Sequence, residues 1–273
     1  MYDLAGLDSS LAGTIFAGKL NYAPVTESTN SDALAAARTG AAHGSVWFAD
    51  EQTAGRGRGG HAWLSAAGDG LYVSVVLRLA VPAERLLLLP LAVGLAAAQA
   101  IDEVTGLAVD IRWPNDLLIG PLKTGGILVE ARNESKDLPH AVVAGIGVNV
   151  HQHAFPGDLA TPATSLDVAA GRRVSRQGLL VALLGALERE AGAVVDPNLA
   201  KEVPARVEAA SSWVRGRRVE VHGPQACTGT TAGLDANGFL RVATAGGLVF
   251  VQTGGIREAA SSSQPSALSP DAF

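Results

Sequence analysis

Apolar residues along this chain recur in two patterns, one typical of strands and one typical of helices. Short apolar runs bounded by glycine, proline and polar clusters predict strands. These predicted strands are 45–49, 70–79, 107–119 with an interruption at Pro114, 124–134 and 139–151. Longer alanine- and leucine-rich stretches predict helices at 29–39, 82–106, 175–193 and 199–211. Residues 1–19 show no strong pattern, and the rest predicts a mixed α/β domain.

The pattern changes after residue 212. From Trp213 onward, short strands alternate with glycine-rich turns such as DANG and AGG. A series of such strands, about 45 residues long, is typical of a small β-barrel. The last residues, 259–273, are rich in serine and proline and predict a disordered tail. We therefore expect a mixed α/β domain followed by a small all-β module.

The composition is that of a globular protein with a large core. Apolar residues make up 48% of the 273 residues and charged residues 17%, and this length suits one large domain or a large and a small one. The net charge is -5, whereas a basic excess normally marks a nucleic-acid groove. The charge therefore argues against a dominant nucleic-acid interface.

The cysteine content and the N-terminal residues indicate the cellular compartment. The single cysteine, Cys227, forms no intrachain disulfide and belongs to no Cys/His metal-ligand spacing. The first residues contain Asp3 and Asp8 and lack the basic start of a signal peptide. The uncharged run 86–101 contains Pro90 and is shorter than the roughly 18 residues of a spanning helix. We expect a soluble, cytoplasmic protein with no membrane partner.

The clearest candidate chemistry lies in EQTAGRGRGGHAWLS, residues 51–65, which we call the glycine–arginine loop. Three of its glycines formally match G-x-G-x-x-G, but a dinucleotide-binding turn opens directly into an apolar helix, and here a strand follows. Glycines let backbone N–H groups approach a ligand closely. Arg56 and Arg58 add two planar charged groups suited to carboxylate or phosphate. The loop is a candidate clamp for a small anion, and a solvated turn is the alternative.

Other polar groups stand at the ends of predicted elements. Residues 28–30, Ser-Thr-Asn, begin a predicted helix, where an ordinary N-cap is the alternative interpretation. Gln52 ends a buried strand. The corner RWPND, residues 112–116, places a tryptophan on costly surface unless something packs there. His151 and His153 form an i, i+2 pair that would need a third ligand to hold a metal.

Glycines in two predicted strands indicate a narrow binding slot. Lys123 stands before the glycine pair 125–126, which would let a ligand lie against the strand backbone. A solvated loop lysine is the alternative for Lys123. Gly145 and Gly147 share one face of their strand with Asn149. This arrangement predicts a slot for a flat group.

The order of ESTN, DEQTAGRGRGG…W, RWPND, K-x-GGILVE, GIGVN and ATSL resembles the biotin protein ligases (biotin–acetyl-CoA-carboxylase ligases) over residues 20–258. The resemblance implies that biotin and ATP form biotinyl-5′-AMP and pyrophosphate. A lysine of a biotin carboxyl carrier protein then takes the biotin and releases AMP. The implied fold is α+β: a class II synthetase-like catalytic domain at 20–211 and an SH3-like β-barrel at 212–258, flanked by an N-terminal extension at 1–19 and the tail.

The resemblance also implies roles for individual residues. Those expected to bind biotin are Ser28, Thr29, Asn30, Gln52, Gly55, Arg56, Gly57, Arg58, Lys123, Gly126 and Gly145. Those expected to bind ATP or the adenylate are Arg58, Trp63, Asn115, Lys123, Gly147 and Asn149. Lys123, Arg56 and Arg58 are the expected catalytic residues, because they would stabilise the charge on carboxylate and α-phosphate. Asp116 is the expected ligand of Mg²⁺, which usually accompanies transferred phosphates.

Three positions depart from the usual family pattern. His61 stands where arginine is common, which would weaken the phosphate clamp or make it pH-sensitive. Arg112 replaces the commoner lysine before Trp-Pro-Asn-Asp, keeping the charge but not the geometry. Thr124 stands where leucine or a similar residue is usual, which would give extra room.

The N-terminal residues and the polar residues of the expected pocket distinguish the biotin ligase from the alternative functions. Only about 20 residues precede the catalytic segment, fewer than a three-helix DNA-binding domain needs, so we expect a ligase with no repressor activity and no DNA partner. The expected partners are the carrier protein, biotin and ATP, and the sequence leaves monomer or homodimer open. The alternatives are a lipoate or octanoate ligase, a DNA-binding biotin sensor and a catalytically inactive relative. A fatty chain would need no polar contacts such as those from Ser28, Thr29 and Gln52.

Overall fold

The computed structural model of the chain describes residues 2–132 and 140–259. The polar stretch SKDLPH, residues 135–140, joins the predicted strands 124–134 and 139–151 and predicts a hairpin-like turn; it lies outside the described residues except for His140. The predicted disordered tail likewise lies outside them beyond residue 259. The described chain forms one seven-stranded sheet and one five-stranded sheet.

The elements follow the predicted α/β order with several additions. The helices are α1 Leu4–Ser10, α2 Thr29–Arg38, α3 Leu89–Thr105, α4 Leu166–Ala170, α5 Arg176–Val195, α6 Pro197–Ala200 and α7 Val203–Ala209. The strands are β1 Leu20–Thr26, β2 Ser45–Gln52, β3 Gly70–Leu79, β4 Asp110–Arg112, β5 Asp116–Ile119, β6 Leu122–Arg132, β7 His140–Asn149, β8 Arg215–His222, β9 Cys227–Leu234, β10 Leu240–Thr244, β11 Gly247–Val251 and β12 Gly255–Glu258. Short 3-10 turns cover Arg58–Gly60 and Ala83–Leu88.

The large sheet has the strand order β1-β2-β3-β7-β6-β5-β4. Strands β1 and β2 are parallel, and α2 connects them; the other neighbours are antiparallel. The apolar strands β3 and β7 lie at the centre and are buried along almost their whole length. The predicted strand 107–119 divides at its Trp-Pro corner into the hairpin β4–β5.

Helices cover the two faces of this sheet unequally. Helices α3 and α5 pack together on one face and form the main core with the central strands. The shorter α2 covers part of the other face. Residues 1–19, which showed no pattern, place Leu7, Leu11 and Phe16 in the main core, each with at most 1% of its surface exposed. These three side chains belong to the same hydrophobic core as the buried residues of α5.

The C-terminal sheet has the order β11-β10-β9-β8-β12 and is entirely antiparallel, and its short strands agree with the predicted small all-β module. Trp113 at the β4–β5 corner is 3% exposed, and its indole N–H donates to the carbonyl of Gly238 at 3.1 Å. The guanidinium groups of Arg112 and Arg217 lie 5.2 Å and 3.9 Å from the ring centre of Trp213. The tryptophan that looked costly on the surface is therefore buried against the β-barrel.

Residues 83–105 form a helical stretch that is long and apolar enough to cross a membrane by length and composition alone. Helix α3, which forms most of this stretch, is largely buried against α5 and the sheet. The stretch thus fits the predicted core helix, although it is longer than the uncharged run suggested.

Candidate functional site

A strip of one face of the large sheet carries three glycines and one leucine. Gly145 and Gly147 of β7 pair with Leu128 and Gly126 of β6, and because side chains alternate along strands, these positions share a face. The first turn of α2 closes one end of the strip, since a carbon added to Gly145 would lie 2.9 Å from Cγ of Asn30. The predicted slot is therefore present, and α2 bounds it.

The indole of Trp63 lies in this slot. A carbon added to Gly126 would lie 3.1 Å from its Cζ3, and one added to Gly147 would lie 2.6 Å from its Cε2. Lys123 Nζ is 5.4 Å from the indole ring centre. Among the described residues, the buried indole Nε1 has no hydrogen-bond partner. Trp63 covers the slot and keeps a donor available for a ligand.

Five polar side chains form a connected network at the α2 end of the slot, which we call the polar floor: Thr29, Asn30, Gln52, Ser65 and Ser74. The backbone N–H of Thr29 donates to Gln52 Oε1 at 2.9 Å, and Gln52 Nε2 donates to Ser65 Oγ at 2.8 Å. The hydroxyls of Thr29 and Ser74 are 2.8 Å apart, and Ser74 donates to Asn30 Oδ1 at 2.9 Å. The structure thus brings Thr29, Asn30 and Gln52 together.

Ser28 stands at the N-cap position of α2 but makes no cap hydrogen bond with its side chain within the described chain. Its hydroxyl is buried and has no partner in the described part of the protein. The hydroxyl of Thr124, which departs from the family pattern, is also buried without a described partner. Buried polar groups are nearly always hydrogen-bonded. Ser28 is therefore the N-cap residue of α2 by position, but its side chain does not cap the helix, and its hydroxyl is available to a ligand.

The glycine–arginine loop folds back on itself beside the floor. The N–H of Gly57 donates to the carbonyl of His61 at 2.7 Å, and the N–H of Trp63 donates to the carbonyl of Gly55 at 2.8 Å. A carbon added to Gly55 would lie 2.7 Å from Ser65 Oγ, so the loop base rests on the polar floor. The strand β3 follows the loop, which agrees with the rejection of a dinucleotide-binding turn.

Arg56 reaches from the loop to the sheet. Its Nη2 lies 2.7 Å from Oε1 of Glu130 on β6. The other carboxylate oxygen of Glu130 accepts a hydrogen bond from Asn30 Nδ2 at 2.6 Å. The Arg56 side chain is 43% exposed. The first of the two predicted arginines is therefore joined to the polar floor and remains accessible to a ligand.

Arg58 reaches from the loop to the β-barrel. Its Nη2 donates to the hydroxyl of Thr253 at 2.6 Å, and its Nη1 donates to the carbonyl of Gly254. Burial lowers the pKa of the Arg58 guanidinium, and the carboxylate of Asp116 acts in the opposite direction. The barrel thus holds the second arginine over the large sheet.

Two cations hold the carboxylate of Asp116. Lys123 Nζ lies 2.5 Å from its Oδ1, and Arg112 Nη2 lies 2.6 Å from its Oδ2. Burial raises the pKa of Asp116, but Lys123 and Arg112 outweigh burial and leave the pKa below its ordinary value. Residues 2–132 and 140–259 contain no group of three His, Cys, Asp or Glu side chains that could hold a metal. Asp116 is therefore shared by two cations, and its role as a Mg²⁺ ligand stays a prediction.

Two residues predicted to bind the nucleotide donate side-chain hydrogen bonds to backbone carbonyls. Asn115 Nδ2 donates to the carbonyl of Ile127 at 3.0 Å, and Asn149 Nδ2 donates to the carbonyl of Thr164 at 3.1 Å. The imidazole of His151 also has a protein partner, because its Nδ1 lies 2.8 Å from a carboxylate oxygen of Asp167 in the protein interior. The structure favours no His151–His153 metal pair among the described residues.

The sequence interpretation missed Ser65, Ser74, Glu130 and Thr253. Ser74 interrupts the apolar run 71–77 of β3, and Glu130 shares a strand face with Gly126, four residues earlier. Both signals were therefore present in the sequence. Thr253 has no local signal, because only the packing of the barrel brings it to Arg58.

Comparison with known proteins agrees with this architecture. Residues 22–149 match the biotin/lipoate A/B protein ligase family. The chain is 34% identical over 245 residues to the biotin–[acetyl-CoA-carboxylase] ligase of Mycobacterium tuberculosis, covering 87% of this chain and 88% of that one. A solved biotin protein ligase from Aquifex aeolicus, in complex with biotin and ATP, superposes with a TM-score of 0.76 at 30% identity, over 89% of this chain and 100% of that one.

A longer relative matches only in part. The bifunctional ligase/repressor BirA of Bacillus subtilis is 41% identical over 172 residues, and the chain spans about half of its length (53%). The fold and site together define a ligase domain of the mixed α/β type, with an arginine-bearing loop over a glycine-lined slot and a small C-terminal β-barrel. The chain belongs to the biotin/lipoate A/B protein ligase family.

Proposed function

We propose that the protein is a biotin protein ligase. In the first step, a carboxylate oxygen of biotin attacks the α-phosphorus of ATP, and pyrophosphate leaves. In the second step, the amine of a carrier-protein lysine attacks the acyl carbon, AMP leaves, and the amine loses a proton. The observation that carries this proposal is the polar floor at one end of a glycine slot, with Arg56 and Lys123 beside the slot.

The polar floor suits the ureido ring of biotin. A urea group offers two N–H donors and a carbonyl acceptor, and the floor presents hydroxyl and amide groups at Thr29, Asn30 and Gln52. The unpartnered hydroxyl of Ser28 adds one more group. Leaving a buried polar group unsatisfied costs about 1–3 kcal/mol, so a ligand that pairs with Ser28 gains affinity. The acid chain of biotin would then run beside the indole of Trp63, which lies against the slot glycines Gly126 and Gly147.

Positive charge lies where the two anions would meet. Lys123 contacts the slot through its Cε, 3.6 Å from the position of a carbon added to Gly126. Arg56 and Arg58 come from the loop above. Together these three groups would screen the repulsion between carboxylate and phosphate and stabilise the charge that develops in the transition state. This is the expected catalytic role of Lys123, Arg56 and Arg58.

The loop is also placed to keep water from the adenylate. Trp63 covers the slot, and Arg58 is held by the barrel through Thr253. A closed loop excludes water from a reactive acyl intermediate. The same cover must open at one side to admit the lysine of the carrier protein.

Magnesium is expected to enter with the triphosphate. Asp116 is one carboxylate already shared by two cations, and Mg²⁺ is commonly bound through substrate phosphates and waters with few protein ligands. When bound, the ion would neutralise phosphate charge. The residues of this chain supply the remaining positive charge, and no step depends on Asp116 as its ligand.

The test is an assay with biotin, ATP and a biotin carboxyl carrier domain. We expect biotinyl-5′-AMP to form and the carrier lysine to become labelled. We also expect Ser28→Ala to weaken biotin binding in isothermal titration. Failure of the pure protein to form the adenylate or to label the carrier would refute the proposal.

Two parallel arms of this assay address the alternatives. Tighter binding of lipoate than of biotin would indicate a lipoate ligase, which a polar floor does not favour. The proposal covers ligase activity without repressor activity. A gel shift at low salt that shows sequence-specific DNA binding would contradict the second part.

A further inference from the structure

Glu130 contacts both the loop and the polar floor. Its carboxylate lies on β6, with Oε1 2.7 Å from Arg56 Nη2 and Oε2 2.6 Å from Asn30 Nδ2. A carboxylate that accepts from two groups on different elements fixes their separation. Glu130 therefore sets how far the loop arginine stands from the first turn of α2.

The contact leaves Arg56 able to hold a second anion. A guanidinium has five N–H donors, and in the described chain Glu130 engages one nitrogen, Nη2. The Arg56 side chain is 43% exposed and that of Glu130 is 27% exposed. Arg56 can thus stay on Glu130 while its other N–H groups face a ligand in the slot.

The link continues through the floor to the far end of the loop. Asn30 accepts from Ser74, whose hydroxyl lies 2.8 Å from that of Thr29. Gln52 then connects Thr29 to Ser65, and the hydroxyl of Ser65 donates to the carbonyl of Trp63 at 3.1 Å. The hydrogen-bond path that starts at Arg56 therefore returns to the same loop at Trp63.

We propose that Glu130 is a positioning residue that locks the glycine–arginine loop to the polar floor. The inference rests on the proposed ligase function. A ring system bound at the floor steadies Asn30, Asn30 steadies Glu130, and Glu130 holds Arg56 closed over the acyl-adenylate. Glu130 acts through Arg56 and does not itself contact the reacting atoms.

The test is a double-mutant cycle with Glu130→Gln, Arg56→Ala and both together. We expect E130Q to release bound biotinyl-5′-AMP about fivefold faster, the scale of a half-exposed ion pair, and to weaken biotin binding in the same direction. Adding E130Q to R56A should change the release rate no further, because the contact is already gone. E103Q, on an exposed carboxylate of α3, is the matched control and should leave the release rate unchanged.

Two outcomes would overturn the inference. E130Q could bind biotin more tightly, which would make Glu130 a competitor that the substrate carboxylate displaces. Its effect could instead add in full to that of R56A, which would place its action elsewhere. A melting temperature within a few degrees of the unmutated protein shows that the variant is folded, since a partly exposed ion pair contributes little to stability.

A proteolysis experiment separates this inference from the proposed function. Trypsin cleaves after Arg56 and Arg58, and cleavage at sites outside the loop serves as the internal reference. We expect E130Q to be cut in the loop several-fold faster than the unmutated protein, without any substrate. If the protein makes no adenylate yet E130Q shows this faster cutting, the ligase function fails and the lock stands. Equal cutting rates overturn the lock.

Discussion

Replacing Gly145 by alanine tests how closely α2 is packed on the sheet. The added carbon would lie 2.9 Å from Cγ of Asn30 and 3.2 Å from the carbonyl oxygen of Leu128. Asn30 is 4% exposed and is bonded at both ends, to Ser74 and to Glu130, so it cannot rotate away without losing both bonds. One neutral hydrogen bond and one to a charged group contribute together about 2–3 kcal/mol.

The assay is thermal denaturation, with biotin titration in parallel. A loss of about 2–3 kcal/mol lowers the melting temperature of a protein of this size by roughly 5–10 °C, and biotin binding should weaken at least about tenfold because the floor is displaced. Gly192→Ala is the control: nothing lies within 4 Å of its added carbon, and a helical glycine replaced by alanine stabilises by about 0.4–1 kcal/mol. Unchanged stability and biotin affinity in Gly145→Ala would refute the packing argument.

Three further predictions concern the charged and interdomain contacts. Asp116→Asn should cost about 3 kcal/mol at pH 7, because it leaves Arg112 buried without its anion. The pKa of Asp116 is lowered in the folded protein. Its contribution to folding stability is therefore complete above the ordinary carboxyl pKa and is lost as the pH falls through the folded pKa. The difference in urea midpoint between variant and parent should stay constant from pH 8 to about 5 and shrink only below about 4. Thr253→Val removes one acceptor of Arg58 and should release adenylate about threefold faster at unchanged melting temperature; an unchanged release rate would exclude a role of the Thr253 hydroxyl in loop closure. Trp113→Phe removes the hydrogen bond to Gly238 and should cost about 1 kcal/mol in thermal unfolding, whereas a neutral result would mean that packing alone holds the corner.

Sequence patterns predicted those parts of the molecule that depend on local periodicity. The apolar alternation of β3, the glycine stop of α3 at Gly106 and the short strands of the barrel all follow from residues close together in the chain. Strand β1 gave no such signal, because its burial follows no simple alternation. The N-terminal residues were also missed, since Leu7 and Phe16 are buried only by packing against distant elements.

In the candidate site, too, some features could be predicted from local sequence and others depend on tertiary packing. Glycines and arginines could be recognised from their spacing, and the structure places Gly126, Gly145 and Gly147 in one slot as expected. What fills the slot, the indole of Trp63, depends on how the loop folds back. The contact of Arg58 with Thr253 joins residues almost 200 positions apart in sequence, and no local pattern can indicate it.

The hold of the barrel on Arg58 restricts how this protein can be shortened. Thr253 and Gly254 lie in the last turn before β12, so a version cut after α7 would retain the whole seven-stranded sheet but lose the grip on the loop. Under the proposed function, such a fragment would bind biotin but release the acyl-adenylate faster than the full chain. An acyl-adenylate is a mixed anhydride that amines attack, so under the proposed function the truncation would let biotin reach amines other than the carrier lysine.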